Sequence, residues 1–154
     1  VIEDGRVAQA GTPDELRRHP ATAYAAAVAG TNLLFGHNDG GTITIEPPPG
    51  PGAGPSETTV LHTADSGTGP VQVVVDPRAV SLHPDRPRGS HRNVWPTTVQ
   101  WIEPLGETTR IMLDAPLPLV VDITPSAATA LGLAPGSAIW AALKATEVAT
   151  TPRP

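Results

Sequence analysis

Nineteen prolines and fifteen glycines run through the 154 residues, and their spacing is the tightest constraint on the fold. Proline removes a backbone donor and glycine raises the entropy cost of any regular element, so the chain has room only for short strands and short helices. The densest stretch, Pro47-Pro48-Pro49-Gly50-Pro51-Gly52-Ala53-Gly54-Pro55, holds neither a helix nor a central strand and reads as a variable surface loop. Hydrophobic residues make up 39% of the chain but aromatic ones only 3%, so the core must be built from Val, Leu, Ile and Ala. The expectation is a small β-rich body, of the size of one domain or of a short tail joined to one small domain.

Several chemistries are excluded early. With no cysteine there is no disulfide framework, thiolate zinc site or thiol nucleophile. A net charge of -5 gives no global support to phosphate neutralisation, so nucleic acid is not an expected partner. No apolar run reaches the length of a membrane span and no signal peptide precedes the chain, which reads as soluble and intracellular. It opens at Val1 without Met, inside an apparent strand, as a fragment of something longer would.

Local signals then place the elements. Val1 to Gln9 reads as a hairpin around Asp4-Gly5. Thr12-Pro13-Asp14-Glu15 is a helix start, with Thr12 as N-cap, Pro13 at the first helical position and Glu15 placed to close a capping box. Ala21 to Ala29 reads as a second helix, stopped by Gly30. Thr31 to Gly36 is extended, and short strands are expected at Thr42 to Glu46 and Thr58 to His62. Further strands are predicted at Val71 to Val75, Arg78 to His83, Val94 to Glu103, Thr109 to Asp114 and Leu119 to Thr124. Thr124-Pro125 caps a helix from Ser126 to Leu131, and a last strand runs from Ala138 to Val148. Strands of this length around one short helix suggest a small, partly closed barrel of the OB kind.

The run Glu3-Asp4-Gly5-Arg6-Val7-Ala8-Gln9-Ala10-Gly11-Thr12-Pro13-Asp14-Glu15-Leu16 resembles the last hairpin and helix of the ATPase domains of ABC transporters, and the resemblance extends to about Gly36. A second one covers Gly89 to Val148. Ser90-His91-Arg92-Asn93 is similar to the Ser-x-Arg-Asn opening of a molybdate-binding TOBE domain, and Lys144-Ala145-Thr146 to its closing strand. Ile123-Thr124 and Leu131-Gly132-Leu133-x-x-Gly136 fall at that family's spacing. The resemblances imply three parts: an ATPase tail over 1–36, a flexible Pro/Gly-rich insertion with short strands over 37–70, and an OB-like TOBE domain over 71–150.

They also imply a ligand, molybdate or tungstate, with no cofactor. A tetrahedral dianion offers oxygen acceptors and no donors, so its site needs converging N–H and O–H groups with modest positive charge. By the resemblance, Ser90, Arg92 and Asn93 contribute from one protomer. Thr124, Lys144, Ala145 and Thr146 contribute from the facing element, commonly across a homodimer interface. Lys144 is the only lysine; on the strand pattern alone, an ammonium that snorkels to solvent explains it as well as a ligand does. The family often has a second hydroxyl three residues after Thr124, but here that residue is Ala127. Ser126 falls one place early and is expected to point about 100° away.

Without Gly-Lys-Ser/Thr there is no phosphate-binding loop, so this stretch carries no catalytic residue and is expected not to be an enzyme. The resemblance implies a longer parent that hydrolyses ATP and docks on membrane permease subunits at the cytoplasmic face. The alternative is a purely structural dimerising domain from an importer for sulfate, iron, polyamine or sugar. His62, His83 and His91 lack metal-ligand spacing and read as solvated loop residues. Glu103, Glu107 and Asp114 read as a solvated hairpin end, and Trp95, Trp101 and Trp140 as packing residues.

Overall fold

The computed structural model describes residues 2–3, 5–7, 9–13, 15, 30–47 and 58–153. Their mainly β composition, with one α-helix and a curled half-barrel sheet, is that of an OB-like fold. At the N-terminus β1 (Ile2–Glu3) and β2 (Arg6–Val7) form the expected hairpin, with Ile2 opposite Val7 and Gly5 at φ 74°. The capping box is present in both directions. The Glu15 amide donates to Thr12 Oγ1 at 3.2 Å, and the Thr12 amide donates to Glu15 Oε2 at 2.7 Å. That second bond is the main reason the Glu15 carboxyl is held below its ordinary value. The helix expected at Ala21 to Ala29 lies outside the described residues.

The chain divides into two compact units, one of residues 1–74 with 148–154 and one of residues 75–147. The first carries a five-stranded sheet built from β3 (Asn32–Asp39), β4 (Thr42–Ile45), β5 (Thr59–His62), β6 (Thr68–Val75) and β12 (Ala149–Pro152), in the order β12-β6-β3-β4-β5. Gly40 and Gly41, at φ 62° and 112°, make the two-residue turn between β3 and β4 that only glycine adopts without strain. Ile43, Leu61, Val71 and Val73 fill the core at alternate positions. Within the segment 37–70, expected as an insertion with short strands, β4, β5, the end of β3 and the start of β6 belong to this sheet. Residues 48–57, which hold most of the Pro/Gly run, lie outside the described ones.

One polar network holds β12 in place. Asn38 is fully buried; its amide donates to the Asp65 carbonyl at 3.1 Å and its oxygen accepts the Gly41 amide at 3.0 Å. Thr63 Oγ1 donates to the Val148 carbonyl at 2.9 Å, and the Thr150 hydroxyl donates to the Asp65 carboxylate. The Thr150 bond first, then the Gly67 amide, lowers the Asp65 pKa. A carboxyl whose folded value is depressed adds stability above its unfolded value near 3.9, and loses it as pH falls through the folded one. Asp65→Asn is therefore expected to flatten the acid limb of the first unit's stability curve, measured by urea unfolding between pH 7 and pH 3. An unchanged acid limb would count against the network.

The second unit contains β7 (Ser81–His83), β8 (Asn93–Leu105), β9 (Thr108–Leu113), β10 (Val120–Ile123), α1 (Pro125–Leu131) and β11 (Ala138–Leu143), its sheet ordered β10-β9-β8-β11-β7. Along β8 the residues Asn93, Trp95, Thr97 and Val99 face inward until a register shift between Val99 and Trp101; beyond it Trp101, Glu103 and Leu105 are exposed. Arg110 and Asp122, opposite each other on β9 and β10, form a bidentate ion pair at 2.9 and 3.0 Å. α1 follows its local signals. Thr124 accepts the Ala127 amide at 3.2 Å, and Gly132, at φ 61°, ends the helix with its amide on the Thr129 carbonyl.

The last expected strand is two. β11 stops at Leu143, a 3-10 turn covers Ala145–Glu147, closed by the Glu147 amide on the Lys144 carbonyl at 2.9 Å, and β12 resumes at Ala149 in the other sheet. The alternation Ile139, Ala141, Leu143, Ala145 runs past the end of β11 and breaks only at Glu147, inside the 3-10 turn.

Candidate functional site

Asn93 opens β8, 4% exposed, and lies in register opposite Leu143, the last residue of β11. That pairing brings the two ends of the motif together. Ser90 and Arg92, both exposed, precede Asn93 on one side; exposed Lys144, half-buried Ala145 and exposed Thr146 follow Leu143 on the other. Gly89, at φ 132°, turns the chain into this segment. Six of the seven predicted residues thus stand at one end of the β8 and β11 pair. Among the described residues no salt bridge engages Arg92 or Lys144. Two exposed cations beside hydroxyls and backbone amides make a donor-rich, anion-complementary end.

Thr124 is elsewhere. Ile123 pairs with Thr109, which pairs with Pro104 at the opposite end of β8 from Asn93. The predicted grouping of Thr124 with Lys144, Ala145 and Thr146 is therefore corrected: within one chain those three residues go with Ser90, Arg92 and Asn93. Ser126 stands one place before Ala127 on α1, as expected. Its hydroxyl lies 3.2 Å from Thr124 Oγ1. The pair supplies two neighbouring hydroxyls despite Ala127.

Lys144 is solvent-exposed, so burial does not force a partner on it. Two of the histidines differ from solvated loop residues. His83 and His91 are half-buried with ring centroids 6.2 Å apart, His83 Nε2 lies 2.8 Å from Ser81 Oγ, and His91 Nδ1 is buried without a hydrogen-bond partner. His83 pairs with Trp140 on β11, and its ring lies beside that of His91, inside the Ser-x-Arg-Asn segment. Trp95 and Trp140 pack as expected, whereas Trp101 is 38% exposed. No group of three or more potential metal ligands occurs among the described residues.

The class follows from this fold and motif together: residues 89–150 match the TOBE domain family, and the chain carries a TOBE domain. Over its whole length it is 34% identical to the molybdenum import ATP-binding protein ModC of Mycobacterium tuberculosis. The chain spans 42% of that relative's length. Half of the chain is also 34% identical to the sn-glycerol-3-phosphate import ATP-binding protein UgpC of Jannaschia sp., covering 21% of it. The fold matches the cytoplasmic molybdate-binding protein ModG, crystallised with molybdate, at TM-score 0.58 and 23% identity, over 79% of this chain and 96% of that one.

Proposed function

We propose that the chain is the regulatory, oxyanion-binding and dimerising part of an ABC importer ATP-binding subunit, with molybdate or tungstate as ligand. The observation that carries it is the convergence of Ser90, Arg92 and Asn93 with Lys144, Ala145 and Thr146 at one end of β8 and β11. Whole-length similarity to a molybdenum import protein supports the choice of anion. Thr124 and Ser126, at the far end of their own chain's sheet, complete the donor set from a second copy, which makes the site a dimer site. Binding across two copies favours one arrangement of the parent ATPase subunits by the difference in affinity between arrangements. The parent hydrolyses ATP with residues this chain lacks, and sits on permease subunits at the cytoplasmic face of the membrane. No described helix is long and apolar enough to cross one.

Calorimetric titration with molybdate, and with sulfate as competitor, tests the reading. Saturable molybdate binding with a rise in dimer fraction is expected. Dimerisation indifferent to every anion would favour the structural alternative, in which the barrel serves an importer of another solute.

A further inference from the structure

The two sheets are one arrangement used twice. Read from the opposite edge, β5-β4-β3-β6-β12 corresponds strand for strand to β10-β9-β8-β11-β7. Each first strand begins at a buried asparagine, Asn32 in β3 and Asn93 in β8, and turns through glycine into the second. Each fifth strand arrives from the other repeat: β7 follows β6, and β12 follows β11.

The two connections match residue by residue. Asp76 to Val80 links β6 to β7, and Lys144 to Val148 links β11 to β12, five residues each. Both follow a fully buried residue, Val75 or Leu143, and both end on a buried valine, Val80 at 2% or Val148 at 4% exposure. Both are closed by the fourth residue's amide on the first residue's carbonyl at 2.9 Å, Ala79 on Asp76 and Glu147 on Lys144. Asp76 therefore occupies the place of Lys144, and Thr31, just before Asn32, the place of Arg92.

We propose that the charge at this one position decides which repeat takes an anion. The chain then has one oxyanion site, in the second repeat, and Asp76 closes the first repeat to dianions. This rests on the oxyanion reading above. A carboxylate where the other repeat has an ammonium turns attraction for a dianion into repulsion. The cation of that connection is also engaged, since Arg78 donates to Asp76 through its backbone amide at 2.8 Å and its guanidinium at 3.4 and 3.3 Å. Where the second repeat has the guanidinium of Arg92, the first has the uncharged side chain of Thr31.

The test counts molybdenum bound per full chain by equilibrium dialysis against sodium molybdate. The native chain is expected to hold one, Asp76→Lys two, Asp76→Asn one and Lys144→Asp none, each checked for folding by circular dichroism. Two bound by the native chain, one by folded Asp76→Lys, or full occupancy in Lys144→Asp would each overturn the inference. If Asp76→Lys does not fold, the Lys144→Asp count decides. Binding by Asp76→Lys but not by the native chain would uphold the role of this position while removing the function proposed for the second repeat. Absence of binding in both would remove the two together.

Discussion

Lys144→Ala is expected to weaken molybdate binding roughly tenfold to a hundredfold while leaving the thermal midpoint of the free chain within a degree or two. The first expectation follows from chemistry: a charge-assisted hydrogen bond to an anion contributes about 1.5–3 kcal/mol, and each 1.4 kcal/mol is about a factor of ten in affinity. The second follows from position. Lys144 is exposed at the end of β11, one residue beyond fully buried Leu143, and among the described residues it makes no salt bridge whose loss would cost stability. Calorimetry measures the affinity and differential scanning the midpoint. Arg92→Ala is the companion variant, on the other side of the Asn93 and Leu143 register. Unchanged affinity in both would mean that the anion sits elsewhere; a large fall in midpoint with either would assign the residue to the fold instead of the ligand.

The parts legible in the sequence are those encoded within a few residues. Thr124 caps its helix and Gly132 ends it because each signal acts within one turn, and the Thr12 and Glu15 box forms for the same reason. The Ser-x-Arg-Asn segment and Lys144 were legible as a site only through resemblance; the register of Asn93 against Leu143 supplies the physical reason they meet. Pairing choices were hidden. Nothing immediately beside Lys144 says that the strand ends there, since Ala145 continues the spacing of Ala141 and Leu143; the break comes at Glu147, with Val148 out of phase. Thr124 looked like a partner of Lys144 because both belong to one motif, yet β9 and β10 carry it to the other end of β8.

The exchange of fifth strands makes a second large effect testable. A chain ending at Glu147 keeps all five strands of the second unit but removes β12 from the first. The loss includes burial of Val148, about 1.5–3 kcal/mol for a fully buried side chain of this kind. It also strands the buried Thr63 hydroxyl, whose acceptor is the Val148 carbonyl, at about 1–3 kcal/mol. The ladder of Ala149 to Pro152 against Val71 to Val74 goes too, as do the Thr150 bond to Asp65 and the Arg153 contacts, an ion pair to Glu46 at 2.9 Å and a guanidinium 4.6 Å from the Phe35 ring. Against a typical domain stability of about 5–15 kcal/mol, the first two alone remove a large share. Hydrogen exchange is therefore expected to show β3, β4 and β6 losing protection while β8, β9 and β11 keep theirs. Equal loss in both units would mean that they unfold as one cooperative body, and full protection of β6 would mean that β12 contributes little to the sheet it edges.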